Sequence, residues 1–225
     1  MRKYLYMVAA ATSALLIAAP MVPADAAVAH VLTIRKVGGT AVSKGAVLTS
    51  GLAKKTTATF SIGTTKVKCG TGAFTGKVTS NPAVGANAKA TESVTASKLG
   101  KCAITGLTFS IAIAANNLPY NASVGAAKGN PVKISGRSKS KPISLTAKVK
   151  LSATNTLTCT YIAASISGKA SNTGNVISFS NQKFKFSTGS SKATCTSFGT
   201  TATFSATYGP VTDHSVKGSP KVFVN

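Results

Sequence analysis

The sequence predicts an all-β protein, an antiparallel β-sandwich of two similar halves, each with one internal disulfide. Three observations predict it. The chain is rich in Thr, Ser, Val, Ile and Phe, while Gln182 is its one glutamine and Glu92 its one glutamate, so two strong helix formers are nearly absent. Short runs alternating polar and apolar residues recur between clusters of Gly, Asn, Ser and Pro. Four cysteines stand 33, 57 and 36 residues apart, so the outer intervals nearly match.

Runs 31–35, 57–62, 107–111, 147–151 and 183–186 are the expected strands. In the last two, Lys alternates with an apolar residue. A pleated strand sends neighbours to opposite faces, so Lys148, Lys150, Lys183 and Lys185 are expected in water and Val149, Leu151, Phe184 and Phe186 in the core. That pattern suits antiparallel sheets with one wet side.

The cysteine spacing has local echoes. Gly76-Lys77 follows Cys69 and Gly168-Lys169 follows Cys159, while Thr108-Phe109-Ser110 follows Cys102 and Thr203-Phe204-Ser205 follows Cys195. These echoes read as a duplication, or as coincidence in a chain rich in Thr, Ser and Ala. Four cysteines allow three pairings. Duplication selects Cys69–Cys102 and Cys159–Cys195. The halves are expected at 27–127 and 143–225, joined by a Gly/Ser/Lys/Pro-rich connection at 128–142, which also reads as a long loop inside one domain.

Residues 1–26 read as a cleaved signal peptide. Arg2 and Lys3 precede an apolar run at 4–19, Pro20 and Pro23 break it, and Ala24-Asp25-Ala26 offers a small-x-small cleavage site. The run is shorter than the ~20 residues a membrane-spanning helix needs. The protein is therefore expected to be secreted or at the extracellular cell surface, with its cysteines oxidised.

Charge is the outstanding compositional feature. The chain has 26 Lys and Arg against 3 Asp and Glu. Without residues 1–26, which hold Arg2, Lys3 and Asp25, the formal charge falls only from +23 to +22. Few internal ion pairs are possible, so the charge must be spread over the surface or met by an anionic partner. Arg35 and Arg137 are the only arginines after residue 26. Lysine is a hydrated point charge without arginine's bidentate fork, which suits diffuse attraction to a polyanion better than specific recognition. The expected partner is an anionic polymer or surface: envelope polysaccharide, anionic lipid or extracellular DNA. Lys128, Lys133, Arg137, Lys139, Lys141, Lys148 and Lys150 fall close together in sequence and form the candidate anion-binding patch. The alternative is a solvated edge kept unpaired by its lysines.

Certain motifs resemble a known family. Asn116-Asn117-Leu118-Pro119-Tyr120, Leu157-Thr158-Cys159-Thr160-Tyr161, the run 177–184, the run 202–213 and the ending Val222-Phe223-Val224-Asn225 are similar to uncharacterised small secreted actinobacterial β-rich proteins, known mainly by their export signal. The resemblance covers most of the chain after residue 26 and carries no catalytic residue. It implies a place outside the cell or in its envelope. The chain departs from that pattern in its many lysines and in having Arg2-Lys3 where a twin arginine is usual.

Catalytic chemistry is poorly provided for. Glu92, Asp213, His30 and His214 are the ordinary acid/base groups after residue 26. A glycosidase pair would need Glu92 with Asp213, which lie in different halves of the sequence. Asp213-His214 sits in a turn-like stretch with no G-x-S-x-G motif beside it. Metal ligands are too few for a zinc or calcium site once the cysteines are paired, and no phosphate-cradling loop leads into a helix. No enzyme activity, cofactor or metal is expected. The chain has no Trp, and Tyr120, Tyr161 and Tyr208 form no RNA-binding pattern, so sequence-specific nucleic-acid binding is not expected. Two other readings stay open: a binder of apolar or amphiphilic material through an uncharged cleft, and a membrane pore or accessory factor of a secreted enzyme.

Overall fold

The computed structural model describes residues 28–225, so the signal-peptide reading of residues 1–26 lies outside the described part. The first elements are β1 (Leu32–Ile34), β2 (Thr40–Ala41), β3 (Val47–Gly51), β4 (Ala58–Ile62), β5 (Thr65–Ser80), β6 (Lys89–Ile104), β7 (Ser110–Asn116) and β8 (Tyr120–Gly125). There follow β9 (Pro131–Ser135), β10 (Ile143–Lys150), β11 (Thr156–Ala163), β12 (Ser165–Ser171), β13 (Val176–Gly189), α1 (Lys192–Phe198), β14 (Thr201–Tyr208), β15 (Thr212–Asp213) and β16 (Val222–Val224). The all-β class, the antiparallel pairing and both disulfides match the sequence expectation.

The finer architecture is a barrel rather than a sandwich. Thirteen strands share one branched sheet, and β16, β1 and β2 form a separate small one. The branching comes from β5, β6, β13 and β14, whose two ends take different partners. At one end, here ring A, the order β4-β5-β6-β7-β10-β11-β13-β14 returns to β4 and closes an eight-strand circuit. At the other end, ring B, the order is β6-β8-β9-β12-β13-β14, then β3 and β5 back to β6. The seam between β14 and β3 is short. It holds the Leu52–Tyr208 bridge and the bonds Ala53 N to Thr207 O (2.9 Å) and Gly209 N to Gly51 O (2.8 Å). Closure removes the exposed edges a sandwich would carry. Layers expected to face each other as separate sheets are thus opposite walls of closed rings.

Each ring takes four strands from residues before 127 and four from residues after 130. The stretch 128–142 carries β9 and a loop, so it contributes to the wall of ring B. The two disulfides have similar loops but different placements. Cys69 and Cys102 are register partners on β5 and β6, whereas Cys159 on β11 is joined to Cys195 in α1.

Alternation explains the walls. In β4 Ala58, Phe60 and Ile62 are buried, and in β14 Ala202, Phe204, Ala206 and Tyr208 are buried. Phe60 sits at the centre of ring A, edge-on to Tyr161 at 5.7 Å and to Phe184 at 6.0 Å. Phe74 and Tyr208 pack likewise at 5.3 Å towards ring B. Such pairs add to area burial because the positive ring edge meets a negative face. Lys183 and Lys185 are exposed and Phe184 is buried, as the pattern requires, with Val149, Leu151 and Phe186 half-buried. One expected strand fails. Of the run 107–111 only Ser110 and Ile111 belong to β7, because Gly106 (φ +81°) turns the chain and leaves Leu107, Thr108 and Phe109 in a loop.

The small sheet caps ring B. Leu32, Val222 and Val224 face Leu48, Val124 and Val176 across a narrow space. Three asparagines fasten it. Asn81 accepts from Leu32 N and donates to the carbonyls of Leu32 and Val42, all at 2.8 Å. Asn172 bonds both backbone groups of Val224, and Asn175 donates to Val222 O and accepts from Val211 N.

The helix α1 was not legible as an amphipathic repeat, being seven residues long. It starts at Ser191, whose hydroxyl accepts from Thr194 N at 3.2 Å. Ser191→Ala should lower the local stability of this turn by about 1 kcal/mol. Faster amide exchange confined to residues 192–199 would register the loss, and an unchanged rate would refute it.

Candidate functional site

All 24 lysines and arginines among the described residues are exposed, whereas Asp213 is buried and Glu92 only partly exposed. Asp213 is 1% exposed and accepts from Ser215 N at 2.8 Å, closing the turn that presents His214 to solvent. Glu92 falls on the inner face of β6 with the buried Ala90 and Val94, and points into ring B. A Cβ added to Gly76 would lie 2.9 Å from its Oε2, so that glycine makes the space the carboxyl occupies. The residue as a whole keeps some accessible surface, but its carboxyl is enclosed by protein, and this desolvation pushes its pKa up from 4.5 to about 7.

The sequence placed Glu92 and Asp213 in different halves; the fold brings them onto one wall. Asp213 pairs with Leu48, Leu48 pairs with Gly76, and Glu92 lies over Gly76. Two strand spacings, roughly 10 Å, and the Leu48 side chain separate them. Neither faces an open cleft shared with the other. His30 is tied to Val28 O at 3.0 Å, far from His214 in sequence. Burial pushes the Tyr208 hydroxyl up to about 12, and also raises Tyr161 and Tyr120. Among the described residues no three His, Cys, Asp or Glu side chains gather as a metal site would require.

The seven residues of the candidate patch are all exposed and are spread over elements of both rings. Lys128 precedes β9 and Lys133 lies within it, on ring B. Arg137, Lys139 and Lys141 follow in the loop between β9 and β10, and Lys148 and Lys150 lie on β10, in ring A. The chain from β9 to β10 runs from one ring to the other, so these charges mark a strip along the barrel. Lys133, Arg137, Lys139 and Lys141 all hold odd positions, which would share one face in extended backbone, but the loop is not extended throughout: Lys141 N bonds Ser138 O at 3.1 Å in a turn.

Register shows what surrounds Lys133. Lys133 pairs with Ser123 and Ser167, and Ser123 pairs with Thr91. The next outward rung runs Ser165, Ser135, Asn121, Ser93 and Lys77. Thr79 joins Thr91 through a 2.7 Å hydroxyl–hydroxyl bond. Thr79, Thr91, Ser93, Asn121, Ser123, Lys133 and Ser135, with Glu92 and Ala122 of the paired β6 and β8, line a surface hollow of about 420 Å³. These serines and threonines read in the sequence only as the polar half of strand alternation.

Ring A ends in a different kind of site. Its mouth holds a cavity of about 100 Å³ lined by Val67, Ile104, Leu107, Phe109, Val149, Leu151, Phe198 and neighbouring apolar groups, with Tyr161 towards the core. Leu107 and Phe109 stay 48% and 38% exposed. The cap of Leu32, Val222 and Val224 belongs to ring B, so this apolar mouth lies at the other end of the barrel.

Fold and site together define the chain as a disulfide-bonded, antiparallel β-barrel protein whose exposed charged side chains are all cationic. No family model, curated protein or solved structure matches it. Both bridges are formed and no cysteine is free, which fits folding in an oxidising, extracellular compartment. No helix among the described residues is long and apolar enough to cross a membrane.

Proposed function

We propose that this is a secreted, non-catalytic protein that binds an anionic polysaccharide of the cell envelope. The observation that carries the reading is the segregation of charge: every described base faces out, and both described acids are drawn into the wall or interior. Such a surface has no counter-ions of its own, so association with a polyanion relieves its self-repulsion. The hollow around Lys133 favours a sugar polymer over lipid or DNA, since its hydroxyls and Asn121 offer several donors and acceptors beside a cation. The barrel also runs opposite to a membrane pore. Its inner face is packed with side chains such as Phe60, Tyr161 and Phe184, and its outer face carries lysines where a lipid-facing band would be apolar.

The test is co-sedimentation with isolated cell envelope and binding to a uronic-acid polysaccharide, each across a salt series. Binding should fall steeply with salt, because exposed charges are screened within about 8 Å at physiological ionic strength. Lys133→Gln should weaken binding roughly tenfold, as loss of a charged hydrogen-bond partner does, and Lys183→Gln on a flat wall by far less. Equal effects of the two changes, or salt-insensitive binding, would contradict the proposal. A higher affinity for duplex DNA than for the polysaccharide would redirect it to nucleic acid.

A further inference from the structure

We infer that the open mouth of ring A binds the chain end of a single-chain anionic amphiphile. The inference rests on the reading that the exterior attracts anions, and it adds a second site with a different ligand. The mouth is walled by side chains that water solvates poorly, and Leu107 and Phe109 stand at its rim substantially exposed. Leaving such side chains in water costs free energy that an alkyl chain recovers by burying them. Leu107 and Phe109 are held there by the loop from Ile104 to β7, whose turn closes through Leu107 N to Ile104 O at 3.2 Å.

Charge selects the headgroup. Lys66 stands between Thr65 and Val67, both of which line the cavity, so its side chain leaves the outer face of the same wall. Lys150 stands between the lining residues Val149 and Leu151 and pairs with Ser110, the residue after Phe109. Both lysines are exposed, and neither described acid is at this end, since Glu92 and Asp213 belong to ring B. An apolar hole bordered by cations with no nearby carboxylate complements a molecule with an alkyl chain and an anionic head. The cavity is smaller than the ~300 Å³ at the low end of pockets that bury a whole small molecule, so it takes the end of a chain with the rest along the rim. The rim position of Leu107 and Phe109 fits that arrangement.

Dodecanoate below its micelle concentration is the probe, with titration calorimetry and side-chain NMR shifts as readouts. Wild type is expected to bind dodecanoate with shifts at Leu107, Phe109 and Leu151, and to bind a neutral dodecyl glycoside roughly tenfold more weakly, the scale of one lost charged contact. Leu107→Ser with Phe109→Ser should weaken dodecanoate roughly tenfold, as removal of about two methylenes' worth of burial would, while polysaccharide binding is unchanged. Both positions are exposed, so the fold survives the change. Lys66→Gln with Lys150→Gln keeps the cavity and should abolish the preference for the anion. The inference fails if the Leu107/Phe109 variant binds dodecanoate like wild type, or if neutral and anionic chains bind alike. It also fails if the protein adsorbs to anionic vesicles yet takes up no single chain. A failed polysaccharide assay with retained dodecanoate binding would sink the polysaccharide reading alone.

Discussion

Glu92→Gln is expected to stabilise the protein by about 3 kcal/mol at pH 8 and by almost nothing at pH 4. The reason is the position of its carboxyl. Burial alone moves its pKa from 4.5 to about 7. The side chains facing it from the wall, including Phe74, Val94, Val124, Ile177 and Phe179, carry no charge. From the cap it meets Leu32, Val222 and Val224, and the amides of Asn172 and Asn175 are committed to backbone groups. Asp213, the other described acid, lies on the same wall across Leu48 and offers no positive charge. Lys77 and Lys133 project from the outer face.

The sign follows from the order of the two pKa values. Below pH 4.5 the carboxyl is protonated in both states and contributes no slope. Between pH 4.5 and 7 the unfolded chain has lost the proton and the folded chain keeps it, so unfolding releases a proton and stability falls as pH rises. Above pH 7 the full loss is in place. The cap over ring B is the element that borders this strain, so its amides are expected to exchange faster at pH 8 than at pH 5. Glutamine is neutral throughout and removes the slope. Urea unfolding of both proteins from pH 4 to 8 measures the difference, in which the contribution of all other groups cancels. Parallel stability curves would show that the folded protein keeps Glu92 solvated.

Much of the strand pattern is legible in the sequence, and what is not has specific causes. Alternation in β4, β10, β13 and β14 gives the correct inward residues, because one-residue register slips would drive Lys183 or Lys148 into an apolar interior. The same rule holds the clue to Glu92, which shares its parity with Ala90 and Val94. Ring closure was not legible. It depends on β6 taking β8 as partner along its first half and β7 along its second, with register shifts between, and on β13 doing the same with β12 and β11. Partner choice of that kind is a property of the assembled walls, and bulges at Thr75/Gly76 and Phe179/Gln182 set it without a strong local signature. The mouth of ring A was missed because Leu107-Thr108-Phe109 has the composition of a strand, and only the positive φ at Gly106 sets it in a loop. Between Lys133 and Lys141 the limit is of the converse kind: equal parity has meaning only in extended backbone, and the turn at Ser138–Lys141 breaks it.

The second large effect concerns the bridges. Removing either disulfide as a Cys→Ala pair should cost about 4 kcal/mol on the chain-entropy model, since the loops of 33 and 36 residues restrict the unfolded chain almost equally. For a domain of this size that is a fall of roughly 10–15 °C in Tm. Losing both approaches the whole net stability of a typical domain, about 5–15 kcal/mol, so the reduced protein should unfold near ambient temperature. Equal global losses would nevertheless have unequal local consequences. Cys69–Cys102 joins two residues that the β5–β6 ladder already holds in register on both sides. Cys159–Cys195 is the covalent tie of α1 to the wall, with Gly189 so close to Cys195 that an added Cβ would lie 2.5 Å from Sγ. Without it, α1 is free to leave and takes Phe198 from the lining of the ring A mouth. Dodecanoate binding should therefore drop in the Cys159→Ala/Cys195→Ala protein and survive in the Cys69→Ala/Cys102→Ala protein, with both assayed well below their Tm. If the Cys159→Ala/Cys195→Ala protein binds dodecanoate as well as the Cys69→Ala/Cys102→Ala protein does, Phe198 does not depend on the bridge and α1 is held by its packing alone.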